Sequence, residues 1–166
     1  MKKPRIIALL FLALCALNLN TKAADVSDLT YSNNGEYITI TSCNQDASGE
    51  LIIPETIDGL PVNWIDDTAF QDNVNLTSII IPKGVTRIGR YAFSKCINLT
   101  NITIPDSVTY IGDGAFIECA SLTNITIPDS VTFLGGSVLR KCTSLISVTI
   151  GDGVTFISRS FYECTS

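Results

Sequence analysis

Residues 99–119 read LTNITIPDSVTYIGDGAFIEC, and residues 122–142 repeat the pattern as LTNITIPDSVTFLGGSVLRKC. The two segments align without gaps, which defines a 23-residue period. The same period places a proline at three positions and a glycine at the fourth: Pro82, Pro105, Pro128 and Gly151. It also produces a column of cysteines, with the last interval shorter by a single residue: Cys96, Cys119, Cys142 and Cys164. An internal repeat of this length is typical of a solenoid.

Each repeat contains a strand pattern that a proline ends. Leu99, Ile102 and Ile104 are separated by threonine and asparagine, which favours a β-strand with one buried face. Pro105 ends this strand because proline has no N–H to donate to a ladder. One unit cannot bury its own apolar side chains, so the copies stack and share a core. We therefore predict a mostly β solenoid of about five 23-residue coils, with parallel strands that pair coil on coil and short turns or single helical turns between them.

The N-terminus is predicted to be a signal peptide. Residues 1–24 contain a basic start, an apolar stretch from Ile6 to Leu17, and the small residues Ala23 and Ala24 at which cleavage would occur. The apolar stretch is shorter than the roughly 20 residues that a spanning helix needs. Cys15 would be the lipidation site of a lipoprotein, but Leu14 lies where a small residue is required. We expect export and no membrane span after the signal is removed.

Two further segments follow the predicted signal. Residues 25–49 lack the repeat, and their Asn-Gly turn before an alternating stretch predicts a hairpin that caps the N-terminal end. Residues 50–166 are predicted to form the solenoid, with an incomplete last coil. Asp58-Gly59 and Pro61 mark a five-residue insertion in its first copy as a surface turn.

Composition excludes several classes of function. The chain has no histidine, which excludes Ser-His-Asp and Cys-His catalysis and every histidine-ligated metal site. Four of the 11 basic residues and none of the 16 acidic ones lie in residues 1–24, so the remainder carries a formal charge of −9. Nucleic-acid binding depends on clustered Lys and Arg, so we expect no nucleic-acid partner. The repeats contain no nucleophile paired with a base and no phosphate loop, and we expect neither an enzyme nor a cofactor.

The repeat pattern Leu-Thr-x-Ile-x-Ile-Pro-x-x-Val-Thr-x-Ile-Gly-x-x-Ala-Phe-x-x-Cys resembles the BspA-like (Treponema-type) leucine-rich repeats of bacterial and protist surface proteins. The resemblance covers residues 50–166. It implies a leucine-rich-repeat solenoid in a secreted or surface-displayed protein, often an adhesin or protein-binding module, and it brings no catalytic residues. The chain departs from the pattern where Leu139 replaces the phenylalanine of Ala-Phe, Asn73 replaces the first cysteine, and Ile157-Ser158 replaces Ile-Gly.

The cysteine column has three interpretations, because a residue in a solenoid has its neighbours one period away. The thiols could form disulfides, ligate a metal or pack in the core. Coils about 4.8 Å apart exceed the Cβ separation of about 3.8 Å that a disulfide prefers. A straight column also does not converge on a tetrahedral zinc ion. We favour packing thiols.

Two charged columns are also present. The carboxylates of Asp106, Asp129 and Asp152 are either calcium ligands or hydrated turn residues, and we expect no bound metal. The position before each cysteine alternates in sign, which either helps to set the register of the coils or is a coincidence among solvated positions. Its members are Asp72, Lys95, Glu118, Lys141 and Glu163.

Two outward columns are candidate binding surfaces. The first, which we call the polar face, is predicted to be flat and rich in hydroxyl and amide groups, and it is either a broad contact surface for a protein or glycan or simply a soluble β surface. Its members are Thr100, Asn101, Thr103, Thr123, Asn124, Thr126, Ser147 and Thr149. The second, the Arg87 column, follows each Val-Thr pair: Arg87, Tyr110, Phe133 and Phe156. This column is either an outward aromatic strip, with the enrichment seen at protein interfaces, or a set of rings lying over the second inward segment.

The sequence therefore predicts an exported, non-enzymatic repeat protein that presents its polar face to a protein partner at the cell surface, as an adhesin does. A glycan is the other partner class considered. The alternative is a structural module that self-associates through its open C-terminal coil, or a fragment of a longer repeat protein. The residues do not identify the ligand.

Overall fold

The structure, a computed structural model, describes residues 23–165. The predicted signal peptide, residues 1–24, thus lies outside the described residues except for Ala23 and Ala24. A short 3-10 helix, Val26–Asp28, precedes the strands. In chain order the strands are β1 (Leu29–Asn33), β2 (Ile38–Cys43), β3 (Gly49–Ile52), β4 (Thr56–Ile57), β5 (Leu60–Ile65), β6 (Leu76–Ile80), β7 (Arg87–Ile88), β8 (Asn101–Thr103), β9 (Tyr110–Ile111), β10 (Asn124–Ile127), β11 (Phe133–Leu134) and β12 (Ser147–Ile150).

The strands form two columns along the repeats. One column is a sheet of order β1-β2-β5-β7-β9-β11, with β4 beside β5. The other contains the sheet β3-β6-β8 and the pair β10-β12. All pairs between coils are parallel, and only the hairpins β1/β2 and β4/β5 are antiparallel among the described strands. The prediction of a mostly β leucine-rich-repeat solenoid of about five coils is confirmed.

One of the predicted strand pairings, between β8 and β10, is missing. We expected the strands after each Leu-x-x to pair coil on coil, but β8 and β10 belong to separate sheets. A cleft of about 230 Å³ lies between them. The two coils are held together elsewhere, because β9 and β11 pair in parallel and the Cys119 thiol donates to the Phe93 carbonyl across the boundary between neighbouring coils. These bonds connect the two coils although β8 and β10 do not pair.

The core contains a stack of three phenylalanines from three successive coils. Phe70, Phe93 and Phe116 are all 0% exposed. Their ring centroids lie 5.0 and 5.4 Å apart, with interplanar angles of 12° and 7°. We call these three rings the buried stack. The apolar side chains of the coils pack around it in one continuous core.

Tight turns bring each phenylalanine inward, and these turns are not helical. Two positions in each turn have a left-handed backbone, which disfavours L-residues by about 1–2 kcal/mol each. One position is the residue before each cysteine, for example Lys95 at φ 59° and Glu118 at φ 62°. The other includes Tyr91 at φ 54° and Gly114 at φ 59°. Burial of the phenylalanines offsets this local strain.

Glycines after the strands allow the coils to approach closely. A Cβ atom added at Gly112 would lie 2.6 Å from the Arg90 backbone nitrogen. Gly89 and Gly135, one period to either side, face backbone atoms of the preceding coil in the same way. The Ile-Gly and Leu-Gly pairs of the repeat are therefore required by the distance between neighbouring coils.

Two hairpins precede the regular coils. Strands β1 and β2 form the first, and β2 continues the solenoid by pairing in parallel with β5. The five-residue insertion forms the second, in which β4 and β5 are joined through Asp58 and Gly59 at φ 54° and 79°. These angles fit the two-residue hairpin turn that Asp-Gly favours. The bounds of the three predicted segments stay a prediction.

Candidate functional site

The polar face lies on the outer side of β8, β10 and β12. Ile102 and Ile125 point inward from β8 and β10 and are buried. All eight polar-face residues are on the surface, and only Thr123 among them is half-buried. The cleft between β8 and β10 divides them into two patches. The structure thus does not bring the polar face together as one flat surface.

Some polar groups of this face are already hydrogen-bonded within the chain. The Thr100 hydroxyl donates to the Thr77 carbonyl at 2.9 Å. The Asn124 amide donates to the Thr123 hydroxyl at 3.0 Å. A partner would have to compete with these bonds, so they lower what the polar face can gain on binding.

An apolar cleft of about 730 Å³ lies beside the polar face, at the C-terminal ends of β3, β6 and β8. Ile52, Ile80 and Thr103 line it, and Ile52 is 58% exposed. This cleft was not predicted from the sequence. The repeat itself contains the signal, because Ile-Ile-Pro at residues 52–54 matches Ile-Ile-Pro at residues 80–82.

The Arg87 column lies on the outer face of the other sheet. Arg87, Tyr110 and Phe133 open β7, β9 and β11, and each is followed by a buried Ile or Leu. Their side chains therefore point away from the core. The rings of Tyr110 and Phe133 are stacked 4.6 Å apart at an interplanar angle of 4°. Phe133 is 48% exposed.

Arg87 lies between two aromatic rings. Its guanidinium carbon is 4.2 Å from the centre of the Tyr110 ring and 5.8 Å from that of Trp64. The Trp64 ring in turn lies 5.3 Å from Tyr37. We call the five side chains that contact one another in series the aromatic ladder: Tyr37, Trp64, Arg87, Tyr110 and Phe133.

The ladder differs from the predicted column at both ends. Phe156 lies beyond β11 in a segment without a strand and is 72% exposed. Trp64 and Tyr37 were not predicted. Trp64 lies one full repeat before Arg87, so the sequence signal was present. Tyr37 lies in the non-repeating hairpin, and only the pairing of β2 with β5 brings it beside Trp64.

The first three thiols of the cysteine column are buried, whereas Cys164 is half-buried. Cys96, Cys119 and Cys142 are 0% exposed. Each thiol donates to the carbonyl oxygen of the phenylalanine in the preceding coil, with Sγ to O distances of 3.1 to 3.2 Å. Burial raises the pKa of Cys96 and Cys142 to about 12 and that of Cys119 well above its ordinary value. These thiols are packing groups, as the sequence favoured.

Asn73 takes the place of a cysteine at the head of this column. Its side chain is buried, and its amide donates to the Asn44 carbonyl at 2.8 Å. The bond has the same direction as the thiol bonds, from one coil to the preceding segment. The departure from the repeat pattern therefore keeps a small buried donor at this position.

A comparison with protein families gives a match over most of the repeats. The description of the matching family is "BspA type Leucine rich repeat region", with 6 copies over residues 63–166. The chain belongs to this family. A comparison with curated proteins gives no match.

Solved structures of bacterial leucine-rich repeat proteins are similar to this chain. A leucine-rich repeat protein from Bacteroides capillosus is 29% identical, with a TM-score of 0.67 over 75% of this chain and 95% of that chain. The Treponema pallidum leucine-rich repeat protein is 27% identical, with a TM-score of 0.63 over 76% and 71%. A leucine-rich cell surface protein from Faecalibacterium prausnitzii is 30% identical, with a TM-score of 0.59 over 81% of this chain and 44% of that chain.

The charged columns of the BspA-type repeats make contacts between coils. Lys141 lies 3.3 Å from Glu118 and 3.9 Å from Glu163, and Lys95 lies 3.9 Å from Asp72. In the aspartate column, the Asp129 carboxylate accepts from the Asp152 backbone N–H at 3.1 Å. This bond joins neighbouring coils.

Among residues 23–165, no group of three or more potential ligands is placed to hold a metal ion. In the same range, no helix has the length and apolar character that crossing a membrane requires. The leucine-rich repeat fold suggests protein binding. The candidate surfaces of this chain are the polar face and the aromatic ladder.

Proposed function

We propose that this protein is exported and acts at the cell surface as a non-enzymatic, adhesin-like module that binds a protein partner through the aromatic ladder. The single observation that carries the proposal is the series of contacts from Tyr37 to Phe133 on the outer face of a regular sheet, in which Trp64 and Phe133 are exposed and the other three side chains are half-buried. Trp, Tyr and Arg are the residues that dominate binding energy at protein interfaces.

Export is supported by the basic and apolar pattern of residues 1–24. A surface location is supported by the similarity to the Faecalibacterium protein, which is described as a cell surface protein. A non-enzymatic role is supported by the repetition itself. Identical repeated positions have similar environments, whereas an acid and a base in catalysis need environments that separate their pKa values.

The ladder is favoured over the polar face because its side chains are already ordered. Each ladder residue packs against the next, so a partner would order few rotamers on binding. The threonine and asparagine side chains of the polar face bond to their own chain, at Thr100 and Asn124. The polar face is the second candidate, since the apolar cleft at Ile52 and Ile80 adjoins it.

The test is a selection from a phage-displayed library of random seven-residue peptides, with the chain from residue 25 immobilised. The wild-type protein is compared with Phe133→Ala on the ladder and with Asn101→Lys/Asn124→Lys on the polar face. We expect the ladder variant to lose at least about tenfold in retention of the selected peptides, and the polar-face variant to keep them. The opposite result would move the site to the polar face.

A further inference from the structure

Arg87 has no acidic partner among the described residues. Four other cations form ion pairs between coils: Arg90 with Asp113, Lys95 with Asp72, Arg140 with Glu163, and Lys141 with Glu118. The contacts of Arg87 are instead with two aromatic rings. A chain with this excess of acids thus holds one half-buried guanidinium in the middle of its aromatic ladder without neutralising it.

Arg87 lies between Trp64 and Tyr110 along the ladder, because β7 pairs with β5 on one side and with β9 on the other. Its guanidinium contacts both rings, and its side chain is only half-buried, so part of it reaches solvent. The five N–H donors of a guanidinium lie in its plane. Two such donors fit the two oxygens of a carboxylate that approaches Arg87 from solvent.

The central ring of the ladder, Tyr110, presents its edge rather than a face. Tyr110 has the guanidinium on one face at 4.2 Å and the Phe133 ring on the other at 4.6 Å. A sugar ring stacks on a free aromatic face, which Tyr110 does not offer. Ring edges carry the positive end of the aromatic quadrupole, so they also favour an anionic oxygen beside Arg87.

We propose that the ladder recognises an extended peptide segment of a protein partner in which a carboxylate binds Arg87 and an apolar side chain contacts Phe133. The proposal rests on the proposed function and adds the chemistry of the partner. Arg87 and Phe133 are separated by two strand spacings, about 9.6 Å. A polyproline II segment brings residues i and i+3 to the same side about 9.3 Å apart, which matches this separation.

The experiment uses the same seven-residue library and reads the sequences that the wild-type protein enriches. We expect Asp or Glu, followed three residues later by an apolar residue, to be enriched at least about fivefold over the input library. One enriched peptide is then synthesised with its acidic residue as Asp or Glu and, separately, as Asn or Gln. We expect the amide form to bind at least about tenfold more weakly at about 0.15 M salt, a condition that screens distant charges beyond about 8 Å.

Matched variants separate a local contact from the net charge. Arg87→Gln removes the charge and the planar N–H donors of the guanidinium. We expect this variant to bind the acidic and amide forms of the peptide about equally. Arg87→Lys keeps the charge but loses the planar pair of N–H donors, and we expect it to lose most of the preference for the acidic peptide. Lys83→Gln removes the same charge at an exposed position away from the ladder, and the preference should stay as in the wild type. Circular dichroism and the thermal unfolding midpoint establish that each variant is folded.

The outcomes distinguish this proposal from the proposed function. If the selected peptides depend on Phe133 but show no excess of acidic residues, or if Arg87→Gln keeps the preference, the carboxylate contact is wrong and the ladder remains the binding surface. If Phe133→Ala and Arg87→Gln both bind the selected peptides as the wild type does, both proposals are wrong.

Discussion

Two aromatic columns run through this molecule, one inside the solenoid and one on its surface. In the buried stack, the Phe93 and Phe116 rings are 5.4 Å apart at 7°; in the aromatic ladder, the Tyr110 and Phe133 rings are 4.6 Å apart at 4°. The stacking has the same origin in both, because equivalent residues in neighbouring coils are separated by one strand spacing. What differs is burial, since the stack is 0% exposed and Phe133 is 48% exposed. Similar geometry thus stabilises the fold in one column and is available to a partner in the other.

The largest expected effect comes from truncating one ring of each column. Phe93→Ala leaves a cavity in the core and should lower the free energy of unfolding by about 3–5 kcal/mol. Phe133→Ala removes a half-exposed ring and should lower it by about 1 kcal/mol or less. Denaturant unfolding of both variants measures the difference. Equal losses would mean that the ladder is a structural element, and the binding proposal would lose its basis.

The second prediction concerns the coil spacing that both columns share. A methyl group at Gly112 would lie 2.6 Å from the Arg90 backbone, whereas one at Gly136 would meet its nearest atom at 3.7 Å. Gly112→Ala should therefore lower the free energy of unfolding by about 1–3 kcal/mol, as overpacking does. Gly136→Ala is the matched control and should change it by about 0.5 kcal/mol or less. Similar midpoints for the two variants would contradict the close approach of the coils at Gly112.

The third prediction extends the comparison to the buried thiols beside the stack. Burial raises the pKa of Cys96 and Cys142 from 9.0 to about 12. Between these values the unfolded chain releases the thiol protons while the folded chain keeps them. The contribution of each thiol to the free energy of unfolding is thus constant below about pH 9. It then falls by about 1.4 kcal/mol per pH unit as the pH rises toward about 12.

The measurement for the thiols is the free energy of unfolding at pH 7, 9, 10 and 11. Cys142→Ala lowers the value at pH 7 by creating a cavity, but its slope above pH 9 should be shallower than that of the wild type. Parallel slopes would show that the thiol of Cys142 ionises as readily in the folded protein as in the unfolded chain.

The smallest expected effect is on the exposed charges. Lys141 lies between Glu118 and Glu163, and all three side chains are partly exposed to solvent. Lys141→Ala should lower the free energy of unfolding by about 1 kcal/mol or less at low salt, and by less at about 1 M salt. Lys83→Ala, at an exposed position, serves as the control and should be neutral. A salt-independent loss at Lys141 would point to packing of its alkyl chain instead.

The repeat allowed most of the fold to be predicted, and it also limited the prediction. The strands, the inward isoleucines and the buried cysteines all follow from one 23-residue pattern. The opening between β8 and β10 does not, because the sequences around Asn101 and Asn124 are the same. The polar face was predicted as one flat surface for the same reason, since a column of like residues carries no information about a gap between two of its strands.

The aromatic ladder was predicted in part from the sequence and in part only revealed by the structure. The sequence by itself determined that Arg87, Tyr110 and Phe133 would form a column, because a fixed period places equivalent residues one above another. It also determined that glycines and small buried donors would recur at set positions. Only the tertiary structure decided that the column faces outward, and that the pairing of β2 with β5 adds Tyr37 to it. The physical reason is that the period sets contacts between neighbouring coils, whereas the direction of a side chain and the packing of a non-repeating hairpin depend on how the whole coil closes around its core.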